Sequence, residues 1–177
     1  MKVYYDTYPA IAFSIKKIKN HAYSPYSENI TPYISIIGIE EALHILFSRE
    51  RYKDEWYPNM SKSEAYEKFI EDMMSIYKII DIKENKQITI KYLNIIGALN
   101  KSIDYINNVK IHSSVPGFND LLHFSISDLI CEVFLTTDSS FKTLEKVKTE
   151  NIKEIVILDE KDLSIEKEIN LIDRDSP

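Results

Sequence analysis

Five short β-type runs, spaced by stretches of helical periodicity, restrict the fold of this chain more than anything else in its sequence. KVYY (2–5), YISII (33–37), IIDI (79–82), VFLTT (133–137) and EIVIL (154–158) are rich in Ile, Val, Tyr and Phe. Such residues suit a buried, pleated strand. Between them, Thr7 is placed to cap a helix with Pro9 in its first turn and Ile11, Ile15 and Ile18 along it. A second helix is expected from about 38 to 50, carrying Leu43, Leu46 and Phe47. Ser61-Lys-Ser-Glu64 is a capping-box pattern, and it opens an apolar stripe of Ala65, Phe69, Met73 and Ile76. Tyr92, Ile96, Leu99, Ile103 and Ile106 outline a long amphipathic helix over 87–109, and further helices are predicted over 118–131 and 139–149. Segments 20–32 and 51–60 read as loops, and Pro116-Gly117 breaks the chain. Strands joined through helices pair in parallel and carry those helices on both faces. The fold class is therefore α/β, a three-layer α/β/α sandwich with a mostly parallel central sheet.

The chain of 177 residues suits one domain, expected over 1–158, with an acidic extension over 159–177. Its formal net charge of -6 argues against a partner held by a broad basic surface. A single cysteine, Cys131, excludes an intrachain disulfide and Cys-rich zinc sites. The four His residues (His21, His44, His112, His123) show no zinc-ligand spacing. No apolar run approaches the roughly 18 residues of a membrane span, and the opening residues lack the apolar stretch of a signal peptide. A cytoplasmic protein with no membrane partner is expected.

In open parallel sheets, ligands sit outside the carboxyl ends of the strands. Acids stand there. Asp6 directly follows the first run and Asp138 the fourth; Glu41 lies one helical turn past the second, and Asp120 begins the helix that leads into the fourth. Singly, each has an ordinary explanation as a cap, a turn residue or a solvated helix position. Jointly, they predict a cluster of carboxylates drawn from distant parts of the chain. Clustered carboxylates repel and lose hydration, and persist when protonated, paired with bases or bound to a cation. No Lys or Arg occupies a matching strand end, so a hard divalent cation, Mg²⁺ or Mn²⁺, is the expected counterion. Such an ion orients and activates water and stabilises charge on a phosphate, which points to phosphodiester hydrolysis.

These residues resemble the PIN-domain nucleases, which include the VapC-type toxins of toxin–antitoxin pairs. Val3-Tyr-Tyr-Asp6-Thr7 is similar to that family's opening strand with its Asp-Thr pair. Ile34-Ser35-Ile36-Ile37-Gly38-Ile39-Glu40-Glu41 resembles its second strand and acidic helix, with Glu41, six residues after Ser35, in the family register. Asp120-Leu121-Leu122-His123 resembles its Asp-x-Leu-His helix start, and the run Leu135-Thr136-Thr137-Asp138-Ser139-Ser140-Phe141, with Asp138 eighteen residues after Asp120, resembles its strand-end element. The resemblance spans residues 2–158 and rests on these four segments. It implies an α/β/α fold and a metal-dependent endoribonuclease, with Asp6, Glu41, Asp120 and Asp138 as both catalytic and metal-binding acids, RNA as substrate, and an antitoxin protein or a second copy of the chain as partner. Two positions depart from the family pattern: Tyr8 replaces the usual Asn or Ser, and Ser140 stands where many members carry another acid. They motivate the alternative of a catalytically degenerate PIN-like module that binds RNA or protein. A haloacid-dehalogenase phosphatase needs a second acid two residues after the first, and Tyr8 occupies that position.

Around the acids, Thr7 and Thr137 are candidates to hydrogen-bond the carboxylates. His123, one turn past Asp120, is expected more often to pack on a neighbouring helix than to face the site, and Ser139 to cap the next helix. Apolar surface near Trp56 and along the 61–80 stripe would seat a partner. The acidic total itself resolves into parts. The 159–177 segment contributes -4 and the four proposed ligands another -4, leaving the remainder at +2. Acidity thus does not exclude RNA; it excludes RNA binding through a wide basic face.

Overall fold

The computed structural model describes residues 1–48, 55–80, 88, 90, 91, 93–95 and 116–163. Five strands, β1 (Lys2–Tyr5), β2 (Thr31–Ser35), β3 (Lys78–Ile80), β4 (Val133–Thr136) and β5 (Glu154–Ile157), form one sheet in the order β3-β2-β1-β4-β5. Every pairing is parallel. The expected α/β/α sandwich is the observed architecture.

Alternation along the central strands explains the layers. Successive strand side chains point to opposite faces. Val3 and Tyr5 of β1, with Val133 and Leu135 of β4, enter a core shared with helices α1 (Thr7–Lys16), α2 (Ile36–Ser48) and α3 (Lys62–Ile76). Tyr4 and Phe134 point the other way, into a core with α4 (Phe118–Ser127) and Phe141. Both strands are buried on both faces, as parallel strands between two helical layers must be. Tyr4 and Phe134 stack at 5.4 Å between ring centroids, which couples the two strands directly. The stripe Ala65, Phe69 and Met73 of α3 is fully buried in the first core. It is internal packing, not the partner surface expected from sequence, because α3 lies against α1 and α2.

Local chemistry moved several boundaries. Ser61 and Glu64 form the reciprocal capping box that opens α3. Asp6, not Thr7, caps α1, its carboxylate accepting from the Thr7 amide. Strand β2 stops at Ser35, whose hydroxyl accepts from the Gly38 amide at 3.2 Å and so draws Ile36 and Ile37 into α2. The helix expected over 139–149 is a short 3₁₀ turn, Ser139–Leu144, which places Phe141 and Leu144 together in the core. Helix α4 ends at Ser127 because the next residue, Asp128, turns its carboxylate onto the amides of Glu150, Asn151 and Ile152. Of the helix expected over 87–109, residues 88, 90, 91 and 93–95 are helical, and the remainder lies outside the described residues. A second 3₁₀ turn, Glu160–Leu163, brings Leu163 into the first core, and Lys16 Nζ donates to its carbonyl at 3.0 Å. Among the described residues, no helix is long and apolar enough to cross a membrane.

Candidate active site

The chain leaves β1 towards β2 on one side and returns to β4 on the other, so the connections diverge between β1 and β4. A parallel sheet opens a crevice at such a point, beyond the carboxyl ends of the strands. Asp6 follows β1 and Asp138 lies two residues past β4. Glu41 projects from α2, and Asp120 from the first turn of α4. All four acids line one open depression of about 750 Å³, together with Thr7, Tyr8, Glu40, His44, Asn119 and Thr137. No Lys or Arg is among its described lining residues.

Each acid is held by its own donors. Asp6 Oδ1 accepts from the Thr7 amide at 2.9 Å, and Oδ2 from the Thr136 hydroxyl at 2.7 Å. Burial pushes the Asp6 carboxyl up; the nearby His123, these two donors and Asp120 are smaller influences, of which only Asp120 adds to the rise. Glu41 goes the opposite way. Its carboxyl is held below the ordinary value chiefly by the hydrogen bond from His123, with Thr7 and Asn119 adding to the effect against partial burial. Glu41 Oε2 accepts from Thr7 Oγ1 at 2.8 Å and lies 3.1 Å from His123 Nε2, while Oε1 accepts from Asn119 Nδ2 at 3.0 Å. Glu40 lines the same depression and is exposed. Asp120 Oδ2 accepts from the Gly117 amide at 2.7 Å. Asp138 accepts from the Ser140 amide at 2.8 Å and the Ser140 hydroxyl at 2.7 Å. It therefore caps the 3₁₀ turn itself, in place of Ser139.

The depression thus gathers all four predicted acids. It does not draw them into one tight group: among the described residues, no three His, Cys, Asp or Glu side chains stand together as a ready-made ion site. The donor chemistry still fits a hard divalent cation. The lining holds the carboxylates of Asp6, Glu40, Glu41, Asp120 and Asp138 and no Lys or Arg, and a carboxylate oxygen with one hydrogen bond keeps a second lone pair.

The supporting residues were only partly legible. Thr7 hydrogen-bonds a carboxylate as expected, but the second threonine to do so is Thr136 rather than Thr137. Thr136 points inward as a strand residue, whereas Thr137 lies beyond the end of β4. His123 is fully buried, yet its Nε2 reaches Glu41, so packing and contact with the site coincide. Asn119, Tyr4 and Ser35 carried no sequence signal of this kind. Their roles depend on how α4 crosses the end of β2.

The fold has a solved counterpart. A chain of the VapBC2 complex from Rickettsia felis, bound to a DNA fragment from their promoter, superposes with a TM-score of 0.55 at 19% identity over 90% of this chain and 100% of that one. The fold is PIN-like. At that identity the likeness is one of architecture. No family model matches the chain. No curated protein matches it either. Within the PIN-like fold, the acid-lined depression lies where the sheet topology opens.

Proposed function

We propose that this protein is a Mg²⁺- or Mn²⁺-dependent endoribonuclease of PIN type, acting in the cytoplasm as the toxin of a toxin–antitoxin pair. The observation that carries the proposal is the meeting of Asp6, Glu41, Asp120 and Asp138, from four separate parts of the chain, in one cleft whose described lining holds no Lys or Arg. Those four acids would hold the cation. When bound, it would supply charge neutralisation and an activated water for in-line attack on an RNA phosphodiester.

The protein's own residues prepare that site. Thr136 and the Thr7 amide keep the Asp6 carboxylate turned into the crevice between β1 and β4. His123, Thr7 and Asn119 hold the Glu41 carboxyl below its ordinary value. Ser140 orients Asp138 through two hydrogen bonds. Tyr8 lines the depression and is 42% exposed. An antitoxin partner is supported by the PIN-like fold and by the nature of the complex in which its solved counterpart occurs.

The separation of the acids into individually bonded groups favours a second reading, a PIN-like module that binds RNA or protein without cleaving it. Calorimetric titration with Mn²⁺ separates the two, since a non-catalytic module takes up no metal at millimolar concentration. For the leading proposal, the wild-type protein cleaves RNA with Mg²⁺ or Mn²⁺ and stops on chelation. Asp6→Asn leaves the circular dichroism spectrum intact and abolishes cleavage; undiminished cleavage by that variant overturns the assignment.

A further inference from the structure

Glu41 is held differently from the other acids, by donors from two helices, α1 and α4. Thr7 and His123 both meet Oε2, while Asn119 meets Oε1. A carboxylate oxygen has about two lone-pair directions. Oε2 is therefore filled, and Oε1 keeps one direction for anything entering the depression.

The donor on the buried side is the end of a longer chain. Ser35 Oγ accepts from the Gly38 amide at 3.2 Å, which directs its own proton elsewhere. Tyr4 Oη lies 2.8 Å from Ser35 Oγ and 2.6 Å from His123 Nδ1. The Tyr4 hydroxyl has a single proton and can donate to only one of these two neighbours. With Nδ1 as the acceptor the hydroxyls run one way: Ser35, whose Oγ is also 3.4 Å from Nδ1, donates to Tyr4 over the shorter distance, Tyr4 donates to Nδ1, and Nε2 carries the hydrogen that reaches Glu41. Tyr4, Ser35 and His123 are all fully buried, where an unpaired polar group costs most. Every buried side-chain nitrogen and oxygen of the described residues finds a partner, in agreement with a saturated network.

We propose that Tyr4 fixes His123 as its Nε2–H tautomer and that His123 is thereby the positioning residue for Glu41, occupying Oε2 so that the carboxylate presents Oε1 alone to a divalent cation. The proposal rests on the metal-dependent reading above and deepens it. It distinguishes His123 from a histidine that merely fills the space between β1 and α4.

Imidazole nitrogen NMR of the full chain without divalent ions reads the tautomer directly, with the His123 signals assigned through their loss in His123→Gln. Expected is an unprotonated Nδ1 and a protonated Nε2, with the preference eroded in Tyr4→Phe. A protonated Nδ1 in the wild type overturns the proposal. Mn²⁺ titration by calorimetry reads the positioning role. Removal of a partner that orients a metal-binding group typically lowers affinity about 10–100-fold. A loss of that order is expected in His123→Leu, with recovery in His123→Gln, whose amide nitrogen can still reach Glu41. If the wild type binds Mn²⁺ and the folded Leu variant binds it equally well, the positioning role fails while the nuclease proposal stands. If the wild type binds no Mn²⁺, the metal-dependent function fails and the positioning role with it, whatever the tautomer.

Discussion

The Thr136 hydroxyl donates to Oδ2 of Asp6 at 2.7 Å, although the two residues lie 130 positions apart in the chain. The bond ties the last residue of β4 to the cap of α1, across the line where the sheet's connections diverge. Thr136 is fully buried, and its oxygen also accepts from the Asp138 amide at 3.0 Å. One side chain thus holds two acids of the depression in a fixed relation.

Thr136→Val tests that relation. Valine keeps the shape but removes the hydroxyl, leaving the Asp138 amide and Asp6 Oδ2 without this partner. Losing a buried hydrogen-bond partner costs about 1–3 kcal/mol. Denaturant unfolding should register a loss in that range, and RNA cleavage should fall as Asp6 and Asp138 loosen. Unchanged stability together with unchanged cleavage would show that the bond positions nothing.

Asp6 should cost stability at neutral pH in the absence of divalent ions. Its folded-state carboxyl is raised by burial, so the folded chain binds the proton more tightly than the unfolded chain does. Stability therefore falls as pH rises from the ordinary carboxylate value through the raised one. Asp6→Asn removes the titrating charge and should melt at a higher temperature than wild type near neutrality, with the gap narrowing as the pH is lowered through that window. Added Mn²⁺ should stabilise the wild type more than the variant. Thermal melts across pH, with and without Mn²⁺, check each sign.

Gly38 sits where α2 comes closest to its neighbours. A Cβ there would lie 2.9 Å from Ile34 Cγ1 and 3.4 Å from His123 Cε1. Replacing a helical Gly by Ala ordinarily gains about 1 kcal/mol, but crowding a packed core costs about 1–3 kcal/mol. Ile34 is fully buried and β-branched, which leaves its Cγ1 little room to turn away, so Gly38→Ala should be net destabilising by about 1 kcal/mol. It should also weaken Mn²⁺ binding, because α2 carries Glu41. A stabilised variant would mean that α2 shifts without cost.

Asp128 governs stability far from the depression. It is buried, accepts from the amides of Glu150, Asn151 and Ile152, and pairs with buried Lys91 at 3.0 Å. Removing one partner of a buried pair costs about 3–5 kcal/mol. Asp128→Ala should lose that much in equilibrium unfolding, while activity per folded molecule stays unchanged. A selective loss of activity in well-folded protein would contradict this division of labour.

The order of strands and helices was legible because it follows from local periodicity and capping. Runs such as VFLTT and the Ser61–Glu64 box declare themselves within a few residues. The four acids could be named for a related reason: each follows a strand or opens a helix, positions that the sequence marks. What Ile36 and Ile37 would form was not legible, since their β-type composition is overruled by the Ser35 hydroxyl on the Gly38 amide. Nor was the short 3₁₀ turn after Asp138, which is set by the burial of Phe141 and Leu144 against α4.

The sequence by itself determined the layered parallel fold and the identity of the acids, because periodicity, caps and strand ends are short-range properties of a chain. Tertiary structure alone decided how those acids are held. Thr136 reaches Asp6 only once β4 pairs beside β1. Likewise, Tyr4, Ser35 and His123 meet beneath Glu41 only once α4 lies across the end of β2. Such bonds join residues dozens of positions apart, and their strength comes from the loss of water around them. Both conditions arise when the layers close.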